Sequence, residues 1–325
     1  MIKWGIIGLG NMANHFANSI NEIDNSKLIA ISSSSNFKLK KFGTNFSIDE
    51  KNRYNNYLDI INSDIDAIYI STLNNSHARL IEASIKSKKK VLCEKPFVMN
   101  YEEAKHLSKL IKVEDNNFYE AIAYRSHPQT KQIISLIKED EIGEIKKIES
   151  TFGFKVKRIN QKSRLFNKEL GGGAILDVGC YPISFAKLFC EKEETIKISK
   201  VSGNICKTDV DDHAELLGSI NDNIEIDLKV SFKENYSNSC IIYGSKGMIK
   251  VASPWLPGKK CYLEINKNNS YYKKFVLSEN SVYISQIKEV SDKFLKKNIT
   301  NQYLIDINQS VDISKILSDW RGLIN

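Results

Sequence analysis

The sequence lacks any long run of apolar residues. Hydrophobic residues make up 42% of the 325 positions and charged residues 26%, which is ordinary for a globular protein. No stretch approaches the length needed to cross a bilayer, so a membrane partner is not expected. The first residues, MIKWGIIGLGNMA, contain one lysine and a glycine-broken apolar run, a pattern typical of a first strand rather than a signal peptide. We therefore expect a cytoplasmic protein.

Cysteines with a recognisable spacing are also missing. The six cysteines, at positions 93, 180, 190, 206, 240 and 261, form no C-x-x-C pair, and no group of Cys and His has the spacing of a zinc site. Free thiols in a reducing compartment are the simplest account. The sequence thus predicts neither a disulfide framework nor a metal site.

A concentrated basic region is missing as well, although the formal net charge is +8. The lysines are scattered and alternate with acids, as in EDEIGEIKKIE, and the one basic cluster, KSKKK at 86–90, lies at a predicted helix end, where cations suit the helix dipole. We therefore expect no nucleic-acid partner. The basic surface can still attract anionic ligands.

Two kinds of pattern divide the chain near residue 122. Before it, short β-type runs such as IKWGIIGL, KLIAISS and DAIYIST alternate with helical patterns, which predicts a doubly wound parallel sheet. After it come a proline-opened helix, a glycine run that leads into a helix, six strand-like runs from 196 to 265, and two closing helices. We predict an α/β protein with a dinucleotide-binding domain at 1–122. We also predict a second α/β domain at 123–325 with an open, mostly antiparallel sheet. The last helix, at about 311–323, is expected to pack back on the first domain.

The stretch GLGNMA at 8–13 has the form G-x-G-x-x-A, directly after a strand and opening a helix. In that context Gly8 permits the tight turn, Gly10 lets the main chain approach a pyrophosphate, and Ala13 lets helix and strand pack closely. The helix N-terminus, with Asn11 and Met12, supplies N–H donors and a positive dipole. The motif predicts a dinucleotide cofactor.

The end of the second strand selects the cofactor. An acid there would bind the ribose hydroxyls of NAD, but the sequence has four serines at 32–35 and no acid until Asp49. Hydroxyls such as those of Ser33 and Ser34 can donate to a 2′-phosphate, and Lys38 follows one turn later. This favours NADP. A polar loop without a role in selectivity, or use of both NADP and NAD, stays open.

Lysine 95 stands at the end of the fifth predicted strand, in LCEKPF at 92–97. Ligands of a doubly wound sheet bind outside the carboxyl ends of its strands, so Lys95 is placed to face a nicotinamide. A solvated lysine that only caps the strand is the alternative. Three further residues that follow a strand, and the acid before Lys95, are also expected at the cofactor site: Thr72, Asn74, His77 and Glu94.

These motifs, together with GGGAILDVGCYPI at 171–183, resemble the Gfo/Idh/MocA-type family of glucose–fructose oxidoreductase and inositol 2-dehydrogenase. The similarity is greater to its branch with dihydrodiol dehydrogenase and xylose dehydrogenase, because EAIAYRSHPQ, SRLFNKELGGGAILDVGCYPI and YGSKGMIKVASPW also agree. Many family members have D-x-x-x-H where this chain has Asp177-x-x-x-Tyr181, which makes it similar to the tyrosine-bearing branch.

The resemblance implies a Rossmann domain followed by an α/β domain whose open sheet makes a subunit interface, and hence a homodimer or homotetramer. It implies an NAD(P)-dependent oxidoreductase acting on CH–OH groups of a sugar, anhydrosugar or polyol-like substrate. A trans-dihydrodiol or dicarbonyl oxidoreductase is the nearest alternative, and a non-catalytic dinucleotide-binding sensor is an alternative of another class. Arg164 matches a family position near the substrate but could equally pair with Glu169. Tyr124 and Arg125 are expected at the pocket wall.

The chemistry needs one proton to move at the substrate oxygen. A phenol of pKa about 10 is a weak base near neutrality, and an ammonium a few ångströms away could lower that pKa by roughly 1–3 units. Tyr181 is therefore the candidate general acid/base and Lys95 its ammonium. Asp177, one predicted helical turn before Tyr181, can hold the lysine or accept a substrate hydroxyl. A packed aromatic and a helix-dipole acid are the structural alternatives for Tyr181 and Asp177.

Overall fold

The computed structural model of the protein describes residues 1–112, 115, 117–191, 194–268, 270–297 and 303–324. The chain forms two compact units. Unit 1 consists of Met1–Ser126 and Asn280–Val311, and unit 2 consists of His127–Glu279 and Asp312–Asn325. Each unit therefore combines a long segment with a shorter one from late in the chain.

The helices and strands follow the predicted alternation. The helices are α1 (Asn11–Ile20), α2 (Asn36–Asn45), α3 (Tyr57–Ile61), α4 (His77–Lys86), α5 (Tyr101–Ser108), α6 (Pro128–Lys138), α7 (Cys180–Ala186), α8 (Val282–Phe294) and α9 (Ile307–Gly322). The strands are β1 (Ile2–Ile7), β2 (Ser26–Ser32), β3 (Arg53–Tyr54), β4 (Ala67–Ile70), β5 (Lys90–Glu94), β6 (Phe118–Ala121), β7 (Ile145–Gly153), β8 (Ile196–Ile205), β9 (Asp211–Ile220), β10 (Ile224–Ser231), β11 (Cys240–Gly244), β12 (Gly247–Val251), β13 (Lys260–Lys267) and β14 (Ser270–Leu277). Polar residues mark several helix starts, because Ser35, Asn56 and Asn100 each accept a hydrogen bond from an N–H group of the first turn.

The sheet of unit 1 has the strand order β3-β2-β1-β4-β5-β6, and every neighbouring pair is parallel. Its strands are buried on both faces. Trp4 and Ile6 of β1 point into one hydrophobic core, and Ile7 points into the other. The predicted doubly wound parallel sheet is confirmed, and it brings the ends of β1, β4 and β5 to one edge.

Helix α8 completes one core of unit 1. Ile287, Val290 and Phe294 of this helix are buried with Trp4, and the Trp4 indole Nε1 donates to Ser291 Oγ at 3.2 Å. This packing explains why Asn280–Val311 belongs to unit 1.

The predicted domain boundary differs from the observed one in two respects. The sequence pattern predicts the boundary at residue 122 and predicts that the last helix packs on the first domain. In the structure the long segments meet between Ser126 and His127, α8 is the returning helix, and the part of α9 after Val311 belongs to unit 2. There the Trp320 indole donates to the Glu215 carbonyl oxygen at 3.2 Å.

The sheet of unit 2 has the order β14-β13-β12-β11-β7-β10-β9-β8, and its pairs are antiparallel except for β7 with β10. The predicted open, mostly antiparallel sheet is confirmed. Strand β14 is not among the predicted runs. Seven of its eight residues are exposed, so its sequence shows none of the alternation that marks a half-buried strand.

The two faces of this sheet differ in character. Ile148, Leu228 and Ile242 are buried on the face that α7 covers. The opposite face carries half-buried polar pairs, such as Lys147 with Glu149 at 2.7 Å. Across the described part of the chain, every helix is too short or too polar to cross a bilayer.

Candidate active site

The turn between β1 and α1 has the shape that a dinucleotide requires. Gly8 has a φ of +93°, and a Cβ there would lie 2.8 Å from the Ser71 carbonyl oxygen, so only glycine fits. At Gly10 a Cβ would meet no protein atom within 4 Å, so the space beside it is open. Ala13 is fully buried in the core of unit 1. Gly8 thus makes the tight turn and Ala13 packs in the core as the motif predicts, while the approach of Gly10 to a pyrophosphate stays a prediction.

The first turn of α1 fits a phosphate. Among the described residues no side chain caps this helix, so its first N–H groups can bind an anion at the positive end of the helix dipole. Asn11 is exposed and Met12 is half-buried in this turn. The Asn14 side chain donates to the Gly10 carbonyl oxygen at 2.9 Å and so fixes the main chain at the open position.

The polar residues at and after the end of β2 differ in exposure. Ser32 and Ser33 are buried, and Ser33 Oγ accepts a hydrogen bond from the Ser35 N–H at 3.2 Å. Ser34 and Lys38 are exposed, the latter in the first turn of α2. The exposed pair is therefore available to a ligand, whereas the Ser33 hydroxyl shapes the turn.

The residues after β4 form a tight hydrogen-bonded loop. Thr72 Oγ1 accepts from the Ser76 hydroxyl at 2.6 Å, and Asn74 is buried. His77 is completely buried, with Nδ1 at 2.9 Å from the Pro96 carbonyl oxygen and Nε2 at 3.4 Å from the Thr72 carbonyl oxygen. Burial lowers the pKa of His77, which favours a neutral ring. The geometry thus shows His77 as a partner of the main chain.

Lys95 lies in a segment whose neighbours are held by buried side chains. Glu94 Oε1 accepts a hydrogen bond from the Tyr69 hydroxyl at 2.5 Å, and the Pro96 carbonyl oxygen bonds to His77. Lys95 itself is half-buried, directly after β5. The predicted position of Lys95 at a strand end is observed, and Glu94 points to Tyr69.

A residue that the sequence analysis missed supports the same segment. Glu120 of β6 is only 2% exposed, and its Oε1 accepts from the Phe97 N–H at 2.9 Å while its Oε2 accepts from the Ser310 hydroxyl at 2.7 Å. Burial raises the pKa of this carboxyl from an ordinary value of 4.5 to about 7. A charged residue inside the apolar strand NFYEAI was the available sequence signal.

Tyr124 and Arg125 lie in a short helical turn after β6, at Ala123–Ser126. They are 1% and 2% exposed, and Arg125 Nε donates to the Tyr303 carbonyl oxygen at 2.7 Å. This bond ties two segments of unit 1 together. The structure therefore shows a packing role for Arg125, and its predicted role in substrate binding stays a prediction.

The glycine run of unit 2 is crowded by the chain itself. Gly173 has a φ of +117°, and a Cβ there would lie 2.4 Å from Asp211 Oδ1. A Cβ at Gly172 would lie 2.9 Å from main-chain atoms of Leu165 and Asn167. Asp211 is buried, and its Oδ2 accepts from the Ile175 N–H at 2.6 Å. The glycines thus let the chain pass Asp211 closely, and the carboxylate in turn binds the start of the following helix.

An unusual helical turn carries Asp177. Ile175–Gly179 form a π-helical turn before α7 begins. Pro182 explains the change, because proline has no N–H and its ring excludes the Val178 carbonyl from the α-helical hydrogen-bond position. The chain from Asp177 to Tyr181 therefore starts in a widened turn, rather than in the regular α-helical turn that the sequence predicts.

Asp177 and Arg164 form an ion pair. Arg164 Nη1 lies 2.7 Å from Asp177 Oδ1, and the side chains are 49% and 5% exposed, respectively. The sequence left Glu169 as an alternative partner of Arg164, and the structure favours Asp177. A half-exposed guanidinium beside a buried carboxylate offers several hydrogen-bond donors to a hydroxylated ligand.

Tyr181 is half-buried and its ring is packed on two sides. The ring centroids of Phe152 and Trp255 lie 5.1 Å and 5.7 Å from that of Tyr181. Trp255 is in turn fixed by a hydrogen bond from its Nε1 to the Thr151 carbonyl oxygen at 3.1 Å. The packing orients the phenol, so the packed-aromatic and catalytic interpretations of Tyr181 are compatible.

The predicted site residues thus fall into two groups. Those of unit 1 are Gly8, Gly10, Asn11, Met12, Ala13, Ser33, Ser34, Lys38, Thr72, Asn74, His77, Glu94, Lys95, Tyr124 and Arg125. Those of unit 2 are Arg164, Asp177 and Tyr181. The described residues contain no group of three or more His, Cys, Asp or Glu side chains that could hold a metal ion.

Two family models match the sequence. Residues 2–121 match an oxidoreductase family with an NAD-binding Rossmann fold, and residues 130–250 match the GFO/IDH/MocA C-terminal domain. The two models describe domains of the same family, and together they cover most of the chain.

Individual proteins agree with this match. A trans-1,2-dihydrobenzene-1,2-diol dehydrogenase from Xenopus tropicalis is 28% identical over 259 residues, which are 78% of this chain and 77% of that protein. A solved 3-ketoreductase from Actinomadura kijaniata, in complex with NADP and TDP-benzene, has a TM-score of 0.88 at 21% identity and covers 100% of this chain and 98% of its own. An aldose-aldose oxidoreductase from Caulobacter crescentus has a TM-score of 0.88 at 18% identity, with 99% and 97% covered. The solved structures show a shared fold.

Proposed function

Because the chain belongs to the Gfo/Idh/MocA oxidoreductase family, we propose that it transfers a hydride between NADP and a hydroxyl-bearing carbon of a sugar, anhydrosugar or polyol-like substrate. It is an oxidoreductase with an NAD(P)-binding Rossmann domain. The observation that carries the proposal is the turn after β1, where Gly8 is obligatory and Gly10 leaves space for a pyrophosphate. The names of the two solved oxidoreductases support a carbohydrate-like substrate.

Tyr181 is the proposed general acid/base. When bound, the nicotinamide supplies or accepts the hydride. In the reducing direction, the Tyr181 hydroxyl donates its proton to the carbonyl oxygen while the carbonyl carbon gains the hydride. In the oxidising direction, the phenolate takes the proton from the substrate hydroxyl and the carbon loses the hydride. A positioned proton donor of this kind accelerates a reaction by about 10²–10⁴.

Lys95 is the proposed ammonium that stabilises the Tyr181 phenolate. A phenol has an ordinary pKa of about 10, so a neighbouring positive charge is needed for it to work as a base near neutrality. The family resemblance supports this pairing, since this chain carries both E-K-P at 94–96 and D-x-x-x-Y at 177–181. Both Lys95 and Tyr181 are half-buried, so neither side chain is enclosed in a core.

Asp177 is the proposed substrate-positioning residue, together with Arg164. The 2.7 Å ion pair holds the guanidinium against a buried carboxylate, so its remaining N–H groups keep a fixed direction. Fixed donors can select one arrangement of substrate hydroxyls and bring one carbon to the nicotinamide. Tyr124 and Arg125 remain weaker candidates for substrate contact because both are almost completely buried.

A trans-dihydrodiol substrate is the second candidate. The half-buried ring of Phe152 beside Tyr181 favours it, because this ring offers apolar area to a planar or cyclic ligand. The name of the Xenopus tropicalis relative points the same way. The two candidates share the same proton and hydride steps and differ only in the ring that the site accommodates.

NADP is the proposed cofactor in preference to NAD. The end of β2 carries no acid, and the exposed Ser34 and Lys38 offer a donor and a positive charge for a 2′-phosphate. The solved 3-ketoreductase of the same fold contains NADP, which supports this preference.

A homodimer or homotetramer is the proposed assembly. The face of the unit 2 sheet opposite α7 bears large exposed apolar side chains, among them Leu217, Tyr271 and Phe275, next to half-buried ion pairs. A mixed polar and apolar sheet face of this kind suits contact with a second copy. Light scattering at micromolar concentration tests the proposal, and a monomer would contradict it.

A hydride-transfer assay over a substrate panel tests the proposed function. NADPH and NADH are each followed by nicotinamide absorbance with aldoses, ketoses, oxidised polyols, anhydrosugars and dicarbonyls, and NADP and NAD with the matching alcohols and trans-diols. We expect turnover with NADP(H) and a carbohydrate-like substrate. Tight dinucleotide binding without turnover on any member would instead indicate a sensor.

A further inference from the structure

Three buried side chains hold the segment that carries Lys95. Tyr69 of β4 donates to Glu94, His77 of α4 bonds to the Pro96 carbonyl oxygen, and Glu120 of β6 accepts from the Phe97 N–H. Each contact comes from a different element, and together they bracket the lysine on both sides. His77 and Glu120 bond to the main chain and Tyr69 bonds to the Glu94 side chain, so the backbone that carries Lys95 is restricted on both sides.

Glu120 is the most costly of the three to bury. Removing a carboxylate from water is unfavourable unless its oxygens are paired, and burial here raises its pKa to about 7. Its two oxygens bond to Phe97 and Ser310, one partner on each. The charge of Glu94 raises the pKa of this carboxyl further, and the charge of Lys95 lowers it. An apolar residue would fill this core position without the cost of desolvating a carboxylate. The two hydrogen bonds of Glu120 therefore need a role that offsets this cost.

We propose that Glu120 is a positioning residue for Lys95, because it fixes the Phe97 main chain and thereby the direction of the lysine two residues earlier. The inference rests on the proposed role of Lys95 in the proton step. A displacement of about 1 Å in a reacting group can cost about 100-fold in rate, so a modest shift of this segment is sufficient to matter.

Three substitutions separate hydrogen bonding from charge. Glu120→Ala removes both hydrogen bonds. Glu120→Asp keeps the charge, but its shorter side chain cannot reach Phe97 and Ser310 together. Glu120→Gln removes the charge yet keeps both bonds, because its Oε1 can accept from the Phe97 N–H and its Nε2 can donate to Ser310 Oγ.

We expect kcat to fall about 10- to 100-fold in Glu120→Ala and Glu120→Asp, with the KM for NADPH within about twofold of the wild-type value. Glu120→Gln should restore kcat to within about threefold. Ser291→Ala is the matched control for stability, because it removes a buried hydroxyl of unit 1 that bonds to Trp4 and Ser26 instead. This control should lower the melting temperature and leave kcat unchanged.

Amide hydrogen exchange gives a readout independent of activity. Measured on the protein without cofactor, exchange at the Phe97 N–H should become at least about tenfold faster in Glu120→Ala and Glu120→Asp and stay slow in Glu120→Gln. If Glu120→Ala does not fold, the Asp and Gln variants still decide the question. Wild-type kcat in Glu120→Asp with a large loss in Glu120→Gln would overturn the proposal in favour of a charge effect.

Lys95→Ala distinguishes failure of the inference from failure of the proposed function. If Lys95→Ala loses turnover, the addition of Glu120→Ala should cost little more, because Glu120 acts through Lys95. Full kcat in Glu120→Ala beside an inactive Lys95→Ala would overturn the inference alone. Full kcat in Lys95→Ala would overturn the role of Lys95 and, with it, the inference.

Discussion

The two segments with the candidate catalytic residues are held in place by different means. Around Lys95, the side chains of Tyr69, His77 and Glu120 bond to the residues beside it. Around Tyr181, the main chain itself does most of the shaping, through a glycine run, a π-helical turn and a proline. One support is built from side chains of distant segments, and the other from local backbone geometry.

This difference determines which substitutions each segment tolerates. The Lys95 segment should respond to the loss of a hydrogen-bond acceptor in a residue far along the chain. The Tyr181 segment should respond to the gain of a single methyl group at a glycine. Substitutions can therefore perturb the Lys95 segment and the Tyr181 segment one at a time. The proton transfer can be tested separately, by a substitution that leaves both segments in place.

The largest effect is expected from Tyr181→Phe, which removes only the hydroxyl. The ring can keep its contacts with Phe152 and Trp255, so the fold and NADPH affinity should be retained. Turnover should fall by about 10²–10⁴, because the transferable proton is gone. Steady-state kinetics and circular dichroism check the prediction. Near wild-type kcat would show that the phenol only packs.

A matched pair of glycine substitutions tests the backbone support. Gly173→Ala places a Cβ 2.4 Å from Asp211 Oδ1 at a φ of +117°, and the conformation alone should cost about 1–3 kcal/mol. Gly10→Ala places a Cβ in open space, so stability should stay within about 1 kcal/mol. Chemical denaturation measures the free energy of unfolding of both variants.

The same two substitutions should affect NADPH affinity in the opposite order, with the larger loss in Gly10→Ala. Gly10→Ala fills the space proposed for the pyrophosphate, so NADPH binding should weaken by about tenfold or more, equivalent to about 1.4 kcal/mol. Gly173→Ala should bind NADPH normally, where it folds. Unchanged NADPH affinity in Gly10→Ala would argue against the phosphate site after β1.

Asp177→Asn tests the local ion pair. The amide can still accept from Arg164, but the charge that anchors the guanidinium is lost. We expect KM to rise or kcat to fall by about tenfold, less than for Tyr181→Phe. Arg164→Gln is the companion variant and should have a similar effect. A loss as great as that of Tyr181→Phe would assign Asp177 to the proton step instead.

The stability of unit 1 should depend on pH through Glu120. Burial raises its pKa from 4.5 to about 7, so in this pH range the folded chain holds a proton that the unfolded chain releases. The contribution of Glu120 to stability should therefore decline as pH rises from about 4.5 to about 7 and stay low above it. Denaturation at several pH values should show this decline in the wild type and a smaller one in Glu120→Gln. Equal slopes would contradict the raised pKa.

Lys38→Ala should have the smallest effect. An exposed charge contributes about 1 kcal/mol or less, so NADPH affinity should fall about fivefold while NADH affinity stays constant. Lys40→Ala, a nearby exposed lysine on α2, controls for the change in net charge. Titration followed by nicotinamide fluorescence measures the affinities for NADPH and NADH in each variant. Tighter binding of NADH than of NADPH by the wild type would refute the preference for NADP.

The sequence predicts those features of the candidate site that are local. The turn at Gly8 and Gly10, the strand-end Lys95 and the glycine run each occupy a few consecutive residues with a characteristic spacing, and the structure has them where the motifs place them. Parallel and antiparallel sheets were also predictable, because alternating β and α patterns differ from a run of strands.

The missed features depend on contacts that are distant in the sequence. Glu120 meets Phe97 and Ser310 only after three segments have come together, so no spacing rule reveals it. Helix α8 joins unit 1 because it fills one of the two cores of that unit, a contact that a linear sequence pattern does not show. The π-helical turn is not predicted, because its residues have the same apolar pattern as a regular helix.

Transfer of deuterium to the substrate from NADPH that carries deuterium at both C4 positions tests the central claim most directly. Once a carbonyl substrate is found, the product alcohol is analysed by mass spectrometry, with wild type and Tyr181→Phe compared under single-turnover conditions. Wild type should place one deuterium on the former carbonyl carbon, and Tyr181→Phe should form almost no product in the same time. Product without deuterium, or equal product from Tyr181→Phe, would contradict the account.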